Sequence, residues 1–397
     1  MKASVSVVGL GYVGLPLAIA AAKSGYMVTG IDLDEVKVKD INNGESQIEG
    51  VNKDELSELV TAGRIKAESN YSSVENAEVI IVCVPTPLLE NHLPDLSYLK
   101  SVAISIKGKL NVNSLLVLES TVAPGTTRDF LAPLLEFNFD KPETCFKLAF
   151  SPERIDPMNL NWTIKNTPKL VAGLTTEAKK LAVKFYSEFV DQVVECESIE
   201  VAEIAKLLEN SFRLINISFM NELSIFCDKL EINLDNVIKA AATKPYGFMP
   251  FYPGIGVGGH CIPVDPIYLS NAGKMIGVST RFIDLADQVN QEMPSYFVRR
   301  SEEKLGGLKH KKVLVVGVAY KPNVADTRET PAKPLIAGLK EKGAEVFWHD
   351  DLVKEWNGEK SVALSSDFDL AIIATPHEYL DLTKLVSVPI LNTRGSI

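Results

Sequence analysis

Cysteine is sparse in this chain and follows no pairing pattern. There are five in 397 residues, at Cys83, Cys145, Cys196, Cys227 and Cys261, an odd number without CxxC spacing. That argues against a disulfide framework or a zinc site. His260 beside Cys261 falls short of the three or four ligands a metal needs, so no metal is expected. Lysine-rich and arginine-rich runs are also missing, and the formal net charge is −10, which speaks against DNA or RNA as a partner. No uninterrupted apolar run is long enough to span a bilayer. The N-terminus enters a strand-like run from Ala3 to Val8 with no basic leader, so a cytoplasmic location is expected. With 46% hydrophobic and 23% charged residues, what remains is an ordinary water-soluble chain with room for two or three domains.

What is present begins at once. Val5 to Val8 has a buried-strand pattern, Gly9-Leu-Gly-Tyr-Val-Gly14 follows, and Leu15 to Ala22 is an apolar helical run. A second strand, Met27 to Ile31, ends in Asp32, 18 residues after Gly14. GxGxxG between strand and helix, with an acid at that distance, is the dinucleotide fingerprint. Gly9 permits the turn, Gly11 lets a pyrophosphate reach backbone amides, and Gly14 allows the helix to pack closely. Asp32 can accept from a ribose 2′-hydroxyl and would repel a 2′-phosphate, so the expected cofactor is NAD. Further strand-like runs at Glu78 to Val84, Leu115 to Leu118 and Lys147 to Phe150 fit a doubly wound α/β sheet. Each leads into a polar or proline-bearing loop, where ligands sit in such sheets. Thr121 and Glu153 are therefore site candidates, with plain solvated loop residues as the alternative.

After a strand-like run near Val193, Ile199 to Leu230 reads as one long helix with apolar residues at three-and-four spacing. At about 1.5 Å per residue it would approach 50 Å, enough to link two domains and carry a dimer seam. Lys206 and Asn210 are four apart and share a face. Helical runs at Val237 to Ala242 and Thr280 to Gln291 surround the stretch Tyr252 to Pro266. That stretch holds Gly254, Gly256, Gly258 and Gly259, then Cys261 and Asp265. Pro263 and Pro266 suit a first helical turn, which would put Cys261 just ahead of a helix N-terminus that favours a thiolate. Two possibilities stay open from these residues alone: a ligand loop delivering a nucleophile, or a tight turn with a buried, inert thiol.

Gly306 to His310 resembles a linker, and a new α/β unit follows. Its pattern is a strand at Lys312 to Val316, a loop to Arg328, a helix at Ala332 to Lys342, and strands at Glu345 to His349 and Phe368 to Ala374. It lacks GxGxxG, so a second dinucleotide is not expected, while Lys321 and Arg328 offer cationic reach to phosphates. The expected organisation is a nucleotide-binding domain over 1–195, a helical and dimerising region over 196–305, and a second Rossmann-like domain over 306–397.

Several of these segments, in this order, closely resemble the UDP-glucose/GDP-mannose dehydrogenase family over essentially the whole chain. The matching pieces are Gly9 to Gly14, Val84 to Pro87, Glu119 to Val122, Ser151 to Arg154, Lys206 with Asn210, Gly258 to Cys261 through Asp265, and Ala319 to Lys321 through Arg328. The resemblance implies oxidation of a nucleotide sugar's 6-hydroxymethyl group to a carboxylate, with two NAD reduced, as a step toward polysaccharide precursors. It implies a thiohemiacetal and then a thioester on Cys261, with Lys206 and Asn210 stabilising oxyanion character. Asp265 and Thr121 would hold or polarise a water, and Glu153 would take part in thioester hydrolysis. Gly9, Gly11, Tyr12, Val13, Gly14, Asp32, Pro85, Thr86, Thr121 and Arg328 would contact NAD. Glu153, Arg154, Lys206, Asn210, Tyr252, Gly254, Gly258, Tyr320, Lys321 and Arg394 would contact a UDP-sugar, and a homodimer is implied. One departure stands out: Pro157 occupies a position where UDP-glucose enzymes usually carry a second glutamate. The Asp156-Pro157 pair and the stretch Lys244 to Pro253 resemble most the branch oxidising UDP-N-acetylglucosamine, with UDP-N-acetylmannosamine or UDP-glucose as alternatives. A two-electron alcohol dehydrogenase, or a silent NAD-binding sensor with Cys261 as a redox switch, are the competing expectations.

Overall fold

The computed structural model describes residues 3–155, 159 and 161–394. The chain divides into two compact units, Met1–Leu208 and Glu209–Ile397.

The first unit runs β1 (Ser4–Val8), α1 (Gly14–Lys23), β2 (Met27–Ile31), α2 (Glu35–Asn42), α3 (Lys53–Thr61), β3 (Ile65–Glu68), β4 (Val79–Val82), α4 (Ser97–Ile106) and β5 (Leu115–Leu118). It continues with the single turn α5 (Ala132–Leu134), β6 (Lys147–Phe150), β7 (Lys169–Gly173), α6 (Thr176–Tyr186) and β8 (Val193–Glu195). These strands form one sheet in the order β3-β2-β1-β4-β5-β6-β7-β8. The first six are parallel in the dinucleotide-fold order. Period-two alternation splits the apolar residues between the faces. Val5, Val7 and Ile81 pack under α1 and α6 with Leu17, Ala18 and Phe185, while Val8, Ile80 and Val82 meet Leu99 and Val102 of α4 on the other face. Asp34, Asn52 and Thr175 accept from first-turn amides of α2, α3 and α6, which fixes where those helices begin.

Two features depart from the expected parallel sheet. β7 pairs with β6 antiparallel, with Ala149 opposite Gly173 and Phe150 opposite Ala172, and β8 then runs parallel to β7. The strand expected over Glu78 to Val84 pairs only over Val79–Val82, after which Pro85 and Pro87 leave the ladder.

The long helix α7 (Ile199–Lys229) spans 31 residues, close to its expected length. Residues up to Leu208 belong to the first unit and those from Glu209 to the second. The second unit continues with α8 (Leu234–Ala241), α9 (Asp265–Met275), α10 (Arg281–Leu305), β9 (Lys312–Val316), α11 (Ala332–Glu341), β10 (Glu345–His349), β11 (Glu355–Trp356), β12 (Glu359–Lys360), β13 (Leu370–Ile373) and β14 (Ile390–Asn392). Its sheet is parallel, in the order β10-β9-β13-β14, with β11 and β12 as a separate antiparallel pair.

The helix expected to stop near Gln291 runs on to Leu305 through Pro294, and Gly306 ends it at φ +67°. An internal proline costs about 3 kcal/mol. Here the turns beyond it bury Tyr296, Phe297 and Val298 against Ile255, Leu335 and Leu339. Burial of that kind is worth about 1.5–3 kcal/mol per side chain, so packing wins. Pro263 is the other correction: α9 starts at Asp265, so Pro266 lies in the first helical turn and Pro263 sits in the turn before it. Among the described residues no helix is long and apolar enough to cross a membrane.

Candidate active site

In the first unit the chain leaves β1 at Gly9, which takes φ +91° and donates its amide to Ile31 O at 2.8 Å. A Cβ on Gly9 would lie 2.6 Å from Cys83 O, and one on Gly14 would lie 1.9 Å from Gly9 O. Gly11 differs, because a Cβ there would meet nothing within 4 Å. The protein needs Gly9 and Gly14 to make the turn, but no packed neighbour needs Gly11. Tyr12 and Val13 carry the chain into α1, whose first turn has neither a side-chain cap nor an acidic residue. Leu15 N donates to Gly11 O at 3.2 Å and Pro16 has no amide hydrogen, so what an anion meets here is the uncapped positive end of the helix. Asp32 closes the other side: Oδ2 accepts from Leu10 N at 3.0 Å and from Lys37 Nζ at 2.8 Å, and Oδ1 accepts from Asp34 N at 3.1 Å. An open glycine, an uncapped helix start and a fixed acid suit the pyrophosphate and ribose of NAD.

The loops after β4 and β5 are tied together: Thr86 Oγ1 donates to Thr121 O at 2.8 Å and Ser120 Oγ to Val84 O at 2.7 Å. Pro85, Thr86 and Thr121 thus come together at the carboxyl edge of the sheet. Glu153 follows β6, and its Oε1 accepts from the Arg154 and Ile155 amides at 2.6 Å each. Burial works to raise Glu153, but Lys169, the Ile155 amide and Lys206 together hold it below the ordinary glutamate range. Arg154 turns its guanidinium to Pro168 O at 2.7 Å. Asp156 and Pro157 lie outside the described residues. On α7, Glu203 is buried and accepts from Gly125 N, Thr127 N and Thr127 Oγ1 at 2.6, 3.0 and 2.7 Å. Burial lifts it to about 7 against those three donors. One turn on, Lys206 is buried as well.

In the second unit the cysteine stretch is an irregular loop held from behind by two buried asparagines. Asn221 Oδ1 accepts from Gly254 N at 2.9 Å and Asn290 Oδ1 from Val257 N at 2.6 Å. A Cβ on Gly258 would lie 2.5 Å from Glu329 O, and one on Gly259 would lie 2.7 Å from the Tyr320 ring, with φ already at +82°. These two glycines are demanded by the loop carrying Tyr320 and Arg328, whose carbonyl accepts from Gly259 N at 3.2 Å. Gly254 has no such neighbour within 4 Å. Cys261 is exposed, which disposes of the buried-thiol alternative, and its carbonyl accepts from Val264 N and Asp265 N at 3.2 and 2.8 Å. Asp265, buried at the start of α9, receives Asn210 Nδ2 at 2.6 Å across 55 residues of sequence.

The remaining predicted residues are less tightly gathered. Lys321 Nζ lies 5.8 Å from the centre of the Tyr320 ring. Arg328 Nε pairs with both Asp326 oxygens at 2.9 Å. Tyr252 and Arg394 are exposed, and the Arg394 amide donates to Asn392 Oδ1. The second sheet repeats the geometry of the first with a different outcome. Gly317 N donates to His349 O at 2.8 Å, and Asp350, at the end of β10, accepts from Val318 N at 2.9 Å, as Asp32 does from Leu10 N. Asp350 is fully buried and 3.1 Å from His377 Nε2, so it cannot meet a ribose.

Sequence pattern missed Lys169, Tyr186, Glu203, Asn221, Asn290 and the Asp350–His377 pair. Each acts through a partner distant in sequence: 16 and 50 residues for Lys169, 27 for the Asp350–His377 pair, and at least 33 for the others. The one local signal was Lys169, a charge heading the apolar run Leu170 to Ala172. Among the described residues no group of three His, Cys, Asp or Glu side chains could hold a metal.

Three consecutive parts of the chain match one family. Residues 3–190 match the NAD binding domain of the UDP-glucose/GDP-mannose dehydrogenase family, 200–292 its central domain and 314–392 its UDP binding domain. The UDP-N-acetyl-D-mannosamine dehydrogenase of Pyrococcus horikoshii is 33% identical over 94% of this chain and 89% of its own. The UDP-N-acetyl-D-glucosamine 6-dehydrogenase of Pseudomonas aeruginosa is 35% identical over 88% and 83%. A solved structure of the Pyrococcus horikoshii UDP-D-ManNAc dehydrogenase superposes with a TM-score of 0.89 at 30% identity, covering 98% of this chain and 95% of that one. With its glycine loop built for NAD and all three parts matched in order, the chain belongs to the UDP-glucose/GDP-mannose dehydrogenase family.

Proposed function

We propose that this dehydrogenase oxidises C6 of a UDP-N-acetylhexosamine from alcohol to carboxylate in two successive steps. The observation that carries this is the Asn210–Asp265 hydrogen bond, which joins the amide of α7 to the acid four residues beyond the exposed Cys261. NAD bound at the glycine loop supplies the hydride acceptor for each oxidation. In the first, the C6 alcohol loses a proton and a hydride, and Lys206 and Asn210 stabilise the developing oxyanion. Cys261 Sγ then adds to the aldehyde carbon, because a planar carbonyl has no hydride to give and a thiohemiacetal does. Its oxidation leaves a thioester, which water cleaves with Glu153 as base. Asp265 orients Asn210 and, with Thr121, holds water.

Of the two C2 epimers we put UDP-N-acetylmannosamine first. The stretch Lys244 to Pro253 favoured the gluco epimer at the level of sequence, but the manno name recurs among relatives at 32–35% identity, beside one gluco enzyme. We also take the protein to act as a dimer through α7, on which Leu208, Phe212, Phe219 and Phe226 expose large apolar side chains.

The test is NADH formation against UDP-glucose, UDP-N-acetylglucosamine, UDP-N-acetylmannosamine, UDP-N-acetylgalactosamine and GDP-mannose. The expected result is two NADH per acid formed, with UDP-N-acetylmannosamine giving the highest kcat/KM. One NADH per turnover with an aldehyde or ketone product would reject the four-electron reaction.

A further inference from the structure

Because β7 runs against β6, its first residue reaches the edge of the sheet where β5 and β6 end. That residue is Lys169. Its ammonium lies 2.9 Å from Glu119 Oε2, just past β5, and 3.2 Å from Glu153 Oε2, three residues past β6. The Lys169 side chain is 8% exposed and that of Glu119 is fully buried. The second Glu119 oxygen accepts the Tyr186 hydroxyl of α6, and Lys169 Nζ stands 5.3 Å from the centre of that ring. Glu153 is thereby held at both oxygens, by two backbone amides at Oε1 and by Lys169 at Oε2. No step of the proposed reaction uses Lys169, Glu119 or Tyr186.

We infer that Lys169 is a positioning residue, which holds Glu153 as an aimed carboxylate for the water that cleaves the Cys261 thioester. This rests on the role of Glu153 proposed above.

The physical reason is charge balance in a dry place. Two carboxylates this close to one ammonium carry one negative charge in excess, and without the ammonium they cannot both stay ionised. The environment separates them. Burial lifts Glu119 above the ordinary glutamate range despite the pull of Lys169, whereas Glu153 is held below it. The two carboxyls are thus not equivalent, and the one held low, Glu153, is the one suited to act as base. Burial works to lower Lys169, and the two carboxylates outweigh it, so the ammonium persists. Lys206 on α7 adds to the pull on Glu153, and Cys83 beyond β4 is also within electrostatic reach of Lys169. In the step itself, water oxygen bonds to the thioester carbon while Glu153 takes its proton. The tetrahedral oxyanion then collapses, the C–S bond breaks, and Cys261 leaves as thiolate with the sugar acid released.

The experiment combines kcat against pH with intact-mass detection of the acyl-enzyme, for the full-length protein with NAD and UDP-N-acetylmannosamine. Lys169→Met should move the acidic limb of kcat up by about one to three pH units, the effect of an opposite charge at this distance. On that limb kcat should fall about tenfold per unit, and a sugar adduct should accumulate on Cys261. Lys169→Arg should restore most of the shift. Should Lys169→Met fail to fold, Glu119→Gln carries the test in the opposite direction: with its competitor neutral, Lys169 serves Glu153 alone and the limb moves down. An unmoved limb in both variants overturns the inference. Glu153→Gln separates the two levels. If it accumulates adduct and Lys169→Met does not, the Lys169 role alone fails; if it accumulates none, the proposed role of Glu153 fails and the inference with it.

Discussion

The three glycines of the dinucleotide loop can be told apart by substitution, since they are glycine for different reasons. Gly14→Ala places a methyl 1.9 Å from Gly9 O, well over 1 Å inside normal contact, and that oxygen belongs to a backbone already fixed by the Gly9–Ile31 hydrogen bond. Either α1 shifts or the turn opens, at an overpacking cost of about 1–3 kcal/mol. In a unit of this size that is a fall in Tm of about 2–12 °C. Gly11→Ala meets no atom within 4 Å, and Gly11 does not take a left-handed φ. The apo protein should keep its stability within about 0.5 kcal/mol. The methyl instead occupies the space through which a pyrophosphate approaches the N-terminal end of α1, and loss of about 1.4 kcal/mol there weakens NAD binding about tenfold. Thermal unfolding with and without NAD reads both effects. At an NAD concentration 100-fold above the wild-type Kd, the wild type gains about 2.7 kcal/mol and Gly11→Ala about 1.4 kcal/mol. If apo Gly11→Ala melts well below wild type, or binds NAD equally well, the assignment of Gly11 to the ligand is wrong.

Two further outcomes follow from the helix α7. Glu203 is about 7 in the folded protein and near 4.5 when unfolded. Being raised, it contributes stability that is complete below pH 4.5 and lost as pH climbs through 7, on the order of 3 kcal/mol. Urea unfolding of Glu203→Gln against wild type should therefore show the variant gaining relative stability between pH 5 and 8, and a flat difference would show that the three donors keep Glu203 ionised throughout. Phe219→Glu, on the exposed apolar stripe, should convert a dimer to monomer in sedimentation analysis without lowering NAD affinity; an unchanged sedimentation coefficient would move the interface elsewhere.

Much of the architecture was legible locally. β2, β5, β6, β9 and β10 begin and end where the apolar runs do, and α7 ends one residue short of its expectation. Each of these is decided by its own residues: β-branched and aliphatic runs bounded by turns, or three-and-four spacing without a breaker. The continuation of α10 through Pro294 was not legible, because the compensating contacts of Tyr296, Phe297 and Val298 come from partners that no window around Pro294 contains.

For the site the division is sharper. Local order was enough for the Gly9–Gly14 turn with Asp32, since a phosphate-binding loop is a short-range device: a strand end, a turn and a helix start. It was enough too for Cys261 in a glycine-rich loop, and for Lys206 and Asn210 on one helical face. Only tertiary structure decided that Gly258 and Gly259 are shaped by Tyr320 and Glu329, that Asp265 meets Asn210, and that Asp350 is spent on His377. It also decided that an antiparallel β7 delivers Lys169 to two carboxylates from different strands. The reason is the reach of the forces involved. Backbone conformation is set within a few residues, but burial of a charge or a close backbone approach depends on which distant segment the fold brings alongside.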